Sequence, residues 1–342
     1  MDASRLSALE DEARRVLPPS VFAYYRQGSR DGVSAAEAVE SWSRHRLVPR
    51  VLREARGVTM VSSLLGDDVR APLGVAPTSM QRAADPRGEV ATASACASAG
   101  VPFVLSSNAT ATFADISATG VTWWFQAYLP QEREVARPML EAAVDAGARA
   151  VVLTVDTPVV GTKYDRGEGV IWDEVPAEWI GVNLGTAAAA PKALDLGPAD
   201  IAWLADVTGL PVVVKGVLHP DDAGRAVDAG AAAVWVSNHG GRQLDRSATT
   251  AECLPRVVDA VDGAAEVYVD GGIRSGLSAL TALALGARAC FLGRLPLYAL
   301  AAGGESCVRE VLAALIDELE ESLRLAGCAD LDDARGLECL RR

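Results

Sequence analysis

The sequence predicts a parallel (β/α)8 barrel, and two observations support this. Short apolar runs, each followed by a helical pattern, recur eight times along the 342 residues. The runs are continuous rather than alternating, which is typical of parallel strands that are covered on both faces. The runs are residues 73–77, 103–106, 124–128, 150–156, 212–216, 233–239, 267–272 and 289–293.

The segments between these runs have helical character, and several end in a glycine that favours a helix C-cap. Eight such units, over residues about 72–325, fit a closed barrel. An open doubly wound sheet is the alternative, but no Gly-x-Gly-x-x-Gly opens a first helix as its nucleotide-binding form requires. The clearest helical patterns are residues 88–99, 132–146, 221–229, 250–261 and 275–285.

Two further segments complete the predicted organisation. Residues 4–66 read as an N-terminal helical extension packed on the barrel, so we expect a single domain over residues 1–342. Residues about 157–198 lack periodicity and leave the C-terminal end of the fourth strand. A loop of this length is usually a functional lid or a disordered insert. Its position favours a lid over the site.

Composition limits the function classes. A net charge of −13 disfavours nucleic acid and anionic membranes as partners. The first ten residues are polar, and no run is long and apolar enough to span a bilayer, so we expect a cytoplasmic protein. The six Cys contain no Cys-x-x-Cys pair and there are only three His, so we expect no metal site.

Polar residues follow nearly every apolar run, at the barrel face that carries the active site in this fold. After the seventh and eighth runs stand Asp270-Gly-Gly-Ile-Arg274 and Gly293-Arg294. Glycine lets backbone N–H groups approach an anion, and arginine adds a charge-assisted hydrogen bond. These two loops therefore predict a phosphate site.

His239 and Arg242 lie three residues apart after the sixth run. Histidine can accept a proton at neutral pH, and arginine can hold a carboxylate through two parallel hydrogen bonds. Asp156 could orient the imidazole, or could instead cap a helix in its Asp-Thr-Pro context. Lys215 ends an apolar run, so it needs an anionic partner, either a bound anion or a salt bridge to the lid.

The segment 237–245, Ser-Asn-His-Gly-Gly-Arg-Gln-Leu-Asp, resembles the FMN-dependent 2-hydroxy acid oxidases and dehydrogenases. That family includes glycolate oxidase, lactate oxidase, mandelate dehydrogenase and hydroxymandelate oxidase. The resemblance covers almost the whole chain. Supporting matches lie at residues 17–18, 24–25, 76–78, 105–107, 125–128, 153–158, 214–216, 270–274 and 292–294.

The resemblance implies FMN as the cofactor, a homotetramer, and roles for individual residues. His239 would take the hydroxyl or α-carbon proton with support from Asp156, while Arg242 and Tyr24 hold the substrate carboxylate. Tyr128 would hydrogen-bond the substrate oxygen, and Lys215 would stabilise negative charge on the flavin. The implied FMN contacts are Ala76, Pro77, Thr78, Ser106, Gln126, Thr154, Lys215, Ser237, Asp270, Gly271, Gly272, Arg274, Gly293 and Arg294.

The sequence departs from the family pattern at three positions. Relatives carry an arginine pair where this chain has Thr162-Lys163, so Lys163 is the expected but altered substrate contact. Asn108 stands where several relatives have an apolar residue, which should alter the pocket for the substrate side chain. Ser79 replaces an alanine or glycine beside the flavin.

The expected reaction is oxidation of an (S)-2-hydroxy acid to the 2-oxo acid, with O2 reduced to hydrogen peroxide. A mandelate-like aryl acid is the first expectation for the substrate, and lactate is the second. The alternatives are a dehydrogenase that uses a quinone or carrier protein, an FMN barrel isomerase without net oxidation, and a flavin-binding barrel without turnover.

Overall fold

The computed structural model describes residues 1, 3–54, 56–164 and 171–341. Among the described residues, three helices and three short strands precede the barrel. Strands β2 and β3 form an antiparallel hairpin, whereas β1 pairs with the last strand of the chain. These elements are α1 Ala3–Val16, α2 Pro19–Arg26, α3 Val33–Ser43, β1 His45–Leu47, β2 Ser62–Leu64 and β3 Asp67–Val69.

Eight parallel strands form a closed barrel, which confirms the predicted fold class. Each strand pairs with the next along the chain, and the last barrel strand pairs with the first through Cys290 opposite Leu73. The barrel strands are β4 Leu73–Val75, β5 Phe103–Ser106, β6 Trp123–Ala127, β7 Val151–Thr154, β8 Val212–Val217, β9 Ala233–Val236, β10 Glu266–Val269 and β11 Ala289–Leu292.

Helices surround the barrel, and the final strand β12 Cys339–Arg341 returns to β1. The predicted helices at 88–99 and 250–261 are confirmed to the residue as α4 and α9. The helices after β4 are α4 Gly88–Ala99, α5 Phe113–Ser117, α6 Arg137–Asp145, α7 Pro198–Thr208, α8 Pro220–Asp228, α9 Thr250–Val261, α10 Gly276–Ala284, α11 Arg294–Ala326 and α12 Leu331–Arg335.

The barrel strands separate two apolar layers, as their continuous hydrophobicity predicts. Alternate side chains point inward and meet in the barrel interior, where Trp235 and Phe291 rings lie 4.1 Å apart. Leu64 and Val69 of the β2–β3 hairpin belong to this interior cluster. The other side chains face the helices and form the larger core. A rigid barrel therefore carries the loops at the strands' C-terminal ends.

The predicted lid is partly helical in the residues that are described. Residues 165–170 lie outside the described residues. Three 3-10 turns follow, at Ile171–Asp173, Ala177–Trp179 and Gly185–Ala189, and α7 begins at Pro198. The segment docks on neighbouring barrel loops, since Asn183 Nδ2 donates to Ala111 O at 2.9 Å. No helix in the described parts of the chain is long and apolar enough to cross a membrane.

Candidate active site

A cavity of about 600 Å³ opens at the C-terminal ends of the barrel strands. Its wall includes nearly every residue that the sequence predicts for the site; among those predicted residues, Asp156 and Ser237 lie behind the wall. Among the described lining residues there are six lysine or arginine side chains and a single carboxylate. The cavity is therefore cationic although the chain as a whole is strongly acidic. The cations are Lys163, Lys192, Lys215, Arg242, Arg274 and Arg294.

His239 and Asp156 form a hydrogen-bonded pair beside the cavity. His239 Nδ1 lies 2.9 Å from Asp156 Oδ1, and the imidazole edge reaches the cavity. Burial would raise the pKa of Asp156, but the charges of His239 and Lys215 and the hydrogen bond from His239 together lower it to about 2. Asp156 therefore stays ionised at neutral pH. No helix begins at this position, so the alternative of a helix cap is wrong.

Gly216 and Thr157 complete the setting of this pair. Gly216 has a φ of +109°, and a Cβ there would lie 2.6 Å from Asp156 Cβ. The Thr157 hydroxyl donates to Asp156 Oδ1 at 3.0 Å and accepts from Gln243 Nε2 at 2.5 Å. Oδ1 of the carboxylate is thus held by both Thr157 and His239, which fixes the imidazole orientation in turn.

Lys215, Ser237 and Asp270 form a buried polar triplet. Lys215 Nζ donates to Ser237 Oγ at 3.0 Å and lies 3.3 Å from Asp270 Oδ2. The Ser237 hydroxyl donates to Asp270 Oδ1 at 2.7 Å and accepts the His239 backbone N–H at 3.1 Å. The ammonium on the cavity wall therefore has the anionic partner that its burial requires. Ser237 connects this cation to the loop that carries His239.

Arg242 enters the cavity beside Tyr24. Its Nη1 donates to the Tyr24 carbonyl at 2.6 Å and to the Gln27 carbonyl at 3.1 Å. Its guanidinium carbon lies 5.0 Å from the centre of the Tyr24 ring. The Tyr24 hydroxyl lies 2.8 Å from Ser79 Oγ. These contacts fix the plane of the guanidinium and leave it on the cavity wall, which suits recognition of a carboxylate.

Arg274 and Arg294 line the same cavity, Arg274 just before α10 and Arg294 at the first residue of α11. Burial, together with the charges of Arg242 and Arg274, lowers the pKa of Arg294 to about 10. Arg294 donates to the Tyr25 carbonyl at 3.1 Å and to the Gly240 carbonyl at 2.8 Å, and it has no ion pair with a described carboxylate. Neighbouring buried cations of this kind are suited to a dianion.

Helix α3 explains two glycines near the site. A Cβ on Gly241 would lie 2.4 Å from the Ala35 N atom, and one on Gly272 would lie 2.0 Å from Ala38 O. Both glycines have positive φ angles. The absence of a side chain at both positions therefore allows α3 to pack on the loops. This is an additional reason for glycine there, beside the open loop and the approach of an anion that the sequence suggests.

The matching family model is the FMN-dependent dehydrogenase family, over residues 13–341. The chain belongs to that family. Human 2-hydroxyacid oxidase 1 is 39% identical over 341 residues, covering 94% of this chain and 92% of the relative. L-lactate oxidase of Nostoc sp. is 39% identical, covering 95% and 94%. Spinach (Spinacia oleracea) glycolate oxidase is 38% identical, covering 97% and 94%.

The fold agrees with solved structures of the same kind. A crystal structure of mandelate oxidase with (S)-2-phenylpropionate has a TM-score of 0.90 and 38% identity, covering 98% of both chains. The mandelate oxidase structure with benzoyl-formic acid has the same TM-score and identity. The expected family and its FMN cofactor are therefore confirmed for this FMN-dependent dehydrogenase.

The residues present fit FMN. Gln126 Nε2 and Ser107 Oγ are buried at the cavity wall without a hydrogen-bond partner in the described structure. Buried polar groups need partners, and the polar edge of an isoalloxazine ring supplies them. Arg274 and Arg294 on the wall of the same cavity suit the phosphate. A ring site and a phosphate site thus lie in one continuous cavity.

Several residues around the site are missing from the sequence-based prediction. Thr157, Gln243 and Lys192 contribute side chains at the cavity, and Gly216 makes room for Asp156. Gln243 belongs to the segment 237–245, so its proximity to His239 was a usable signal. Lys192 lies in the aperiodic segment, where no strand end marks it.

Proposed function

We propose that this protein oxidises an (S)-2-hydroxy acid to the 2-oxo acid with O2 as the electron acceptor. The hydrogen-bonded pair of His239 and Asp156, in one cavity with Arg242, carries this proposal. It brings a proton acceptor and a carboxylate clamp to the same wall. The names of the relatives, 2-hydroxyacid, glycolate and lactate oxidase, support the same reaction class.

The substrate would bind with its carboxylate on Arg242 and the Tyr24 hydroxyl. Two charge-assisted hydrogen bonds from a guanidinium orient a carboxylate in its plane. The Tyr128 phenol would donate to the substrate's hydroxyl oxygen. Burial and the Asp156 charge raise the pKa of Tyr128, so the phenol stays protonated and able to donate. These contacts would orient the reacting carbon toward the ring site.

His239 would accept one proton as the acid loses its hydroxyl and α-carbon hydrogens. The ionised Asp156 stabilises the resulting imidazolium, which is the role of the acidic residue in catalytic triads. A bound FMN would supply the two-electron acceptor for this oxidation and the electron donor for reduction of O2 to hydrogen peroxide. Lys215 would stabilise the negative charge that this transfer places beside it.

The cofactor would lie between the strand ends and the phosphate loops. Gln126, Ser106 and Thr154 would contact the ring with the backbone of 76–78, and Asp270 the ribityl chain. Arg274 and Arg294 with Gly271, Gly272 and Gly293 would hold the phosphate. Ser237 would position Lys215 and Asp270 rather than contact FMN through its side chain, because its hydroxyl is hydrogen-bonded to both of them.

An aryl substrate such as mandelate suits the part of the cavity that the lid covers. Trp172, Leu184, Ala187 and Ala190 of this segment line the wall, and Asn108, after β5, lines the same cavity. Such a wall offers apolar surface to a phenyl ring and little hydrogen bonding to a small acid. The likeness to mandelate oxidase structures supports an aryl substrate, while the similar identity to an L-lactate oxidase keeps lactate as the second candidate.

Anaerobic mixing of the oxidised holoenzyme with a panel of 2-hydroxy acids tests this proposal. Mandelate should bleach the flavin fastest, and mixing the reduced enzyme with O2 should restore the colour with release of hydrogen peroxide. Reoxidation by O2 no faster than free flavin, with fast reoxidation by a quinone, would assign a dehydrogenase instead. No bleaching by any acid would refute the reaction class.

Two predictions concern the protein as a whole. A homotetramer and a cytoplasmic location rest on the family resemblance and the sequence composition. Light scattering of the purified holoenzyme should give about four times the 35.7 kDa chain mass.

A further inference from the structure

Two cations of the cavity have not yet been assigned to FMN or to the substrate. Lys215 is paired with Asp270, Arg274 and Arg294 face the phosphate end, and Arg242 lies beside Tyr24. Lys163 and Lys192 remain, and both approach the cavity from the segment after β7. Cations on a cavity wall are costly to desolvate unless an anion offsets the cost.

Lys163 is directed to the main chain. Its ammonium donates to the Gly161 carbonyl at 2.7 Å and to the Arg242 carbonyl. Its backbone also forms an isolated bridge with Arg30. The residue thus ties the start of the segment to the loop that carries Arg242. These hydrogen bonds give Lys163 a structural role beside the site.

Lys192 is held in place on both sides by its backbone. It forms an isolated bridge with Pro130, the neighbouring Pro191 carbonyl accepts from Gln131 N at 2.8 Å, and Ala193 N donates to Leu129 O at 2.9 Å. The loop after β6, which carries Tyr128, therefore fixes where the lysine enters the cavity. A lysine fixed in this way loses less entropy when it binds a ligand.

The Lys192 side chain lies over Tyr128. Its Nζ is 4.0 Å from the centre of the Tyr128 ring and donates to the Thr157 carbonyl. It forms no ion pair with a carboxylate among the described residues. Burial lowers the pKa of Lys192 to about 8, although the Asp156 charge raises it. The half-buried ammonium is charged at neutral pH and feels the Asp156 charge without forming an ion pair with that carboxylate.

We propose that Lys192 is the second cation that binds the substrate carboxylate, opposite Arg242, in the place that Lys163 does not fill. This inference rests on the proposed 2-hydroxy acid substrate. The cation–π contact sets the ammonium next to the phenol that would hydrogen-bond the substrate oxygen. The carboxylate would lie between a cation fixed by the barrel and a cation supplied by the lid segment.

Binding of an unreactive acid to the oxidised holoenzyme tests the proposal. Phenylacetate carries the carboxylate without the hydroxyl, and phenylacetamide is its neutral match. Each is titrated into wild type, Lys192→Met, Lys192→Arg and Lys163→Met while the flavin absorption is followed. Because a hydrogen bond from a charged group is worth a factor of about ten or more, Lys192→Met should weaken phenylacetate about tenfold. Phenylacetamide binding should change less than about twofold.

The companion variants keep the test decisive. Lys192→Arg should restore most of the phenylacetate affinity, and Lys163→Met should affect acid and amide alike. Unchanged phenylacetate binding in Lys192→Met, equal losses for both ligands, or an acid-selective loss in Lys163→Met would each overturn the proposal. FMN content and flavin spectrum report folding. Reduction by 2-hydroxy acids, scored on the same wild-type preparation, tests the proposed function separately.

Discussion

His239 Nδ1 lies 2.9 Å from Asp156 Oδ1, although the two residues are 83 positions apart in the sequence, and the neighbouring Thr157 contacts both. The contact joins the ends of β7 and β9, which the Lys215 strand β8 separates in the barrel. The imidazole therefore presents its other nitrogen to the cavity, while the carboxylate stays behind it. This orientation suits a proton acceptor whose cation is stabilised from the rear.

Asp156→Asn should slow flavin reduction by the preferred acid about 100-fold or more, because the imidazolium loses its stabilising charge. FMN binding should be retained, since Asp156 lies behind the cavity wall. Rapid-mixing absorbance of the anaerobic holoenzyme gives the rate. A rate within about threefold of wild type would show that the carboxylate is not needed for proton transfer.

Glu89, which is not one of the reacting groups, is expected to contribute to the free energy of unfolding. This buried carboxylate accepts the backbone N–H of Gln81 at 3.1 Å, and both the N–H and the hydroxyl of Thr110 at 3.0 Å and 2.5 Å. Glu89→Ala leaves buried donors unpaired and should cost about 3 kcal/mol or more of unfolding free energy. Exposed Glu141→Ala is the control, with an expected change below about 0.5 kcal/mol in urea unfolding.

The packing of α3 is expected to depend on the absence of a Cβ at Gly272. With a φ of +82° and a Cβ position 2.0 Å from Ala38 O, Gly272→Ala should cost about 3 kcal/mol or more. Gly230→Ala is the matched control, because Gly230 has a φ of +91° with nothing within 4 Å. Its cost should be about 1 kcal/mol. Equal thermal shifts for both variants would show that backbone strain alone matters and α3 packing does not.

The fold could be predicted from the sequence because its signals are local. Each of the eight barrel strands lies within its predicted run or extends beyond it by one residue. The prediction succeeds because buried parallel strands have continuous apolar sequences. The β1–β12 pairing was not predicted, because it joins His45–Leu47 to Cys339–Arg341 across nearly the whole chain. Short strands with such distant partners carry no pattern of their own.

The site could be predicted only where strand ends mark it. His239, Arg242 and Lys215 follow apolar runs and converge on the cavity because the barrel brings all strand ends to one face. The lid residue Lys192 and the buried Glu89 follow no such rule. Their positions depend on how the loops pack on each other, and such tertiary contacts leave no local pattern in the sequence. The different use of Lys163 likewise depends on which carbonyl groups lie within its reach.

Lys192 predicts a pH dependence for substrate binding. Its pKa is lowered by burial to about 8, so its charge is present below that pH and is lost as the pH rises through it. The KM for the acid should therefore rise above about pH 8, while Lys192→Arg should keep KM flat to higher pH because arginine remains charged. Steady-state oxygen consumption from pH 6 to pH 10 measures this. The same rise in both enzymes would exclude Lys192 as its origin.

In the proposed reaction His239 takes the proton during oxidation. His239→Asn should keep FMN bound with an unchanged spectrum and should slow anaerobic flavin reduction by the preferred 2-hydroxy acid by a factor of about 10² to 10⁴. The rate of bleaching after rapid mixing is the direct measurement. A variant that is reduced as fast as wild type would contradict the account, since no proton acceptor at residue 239 would then be required.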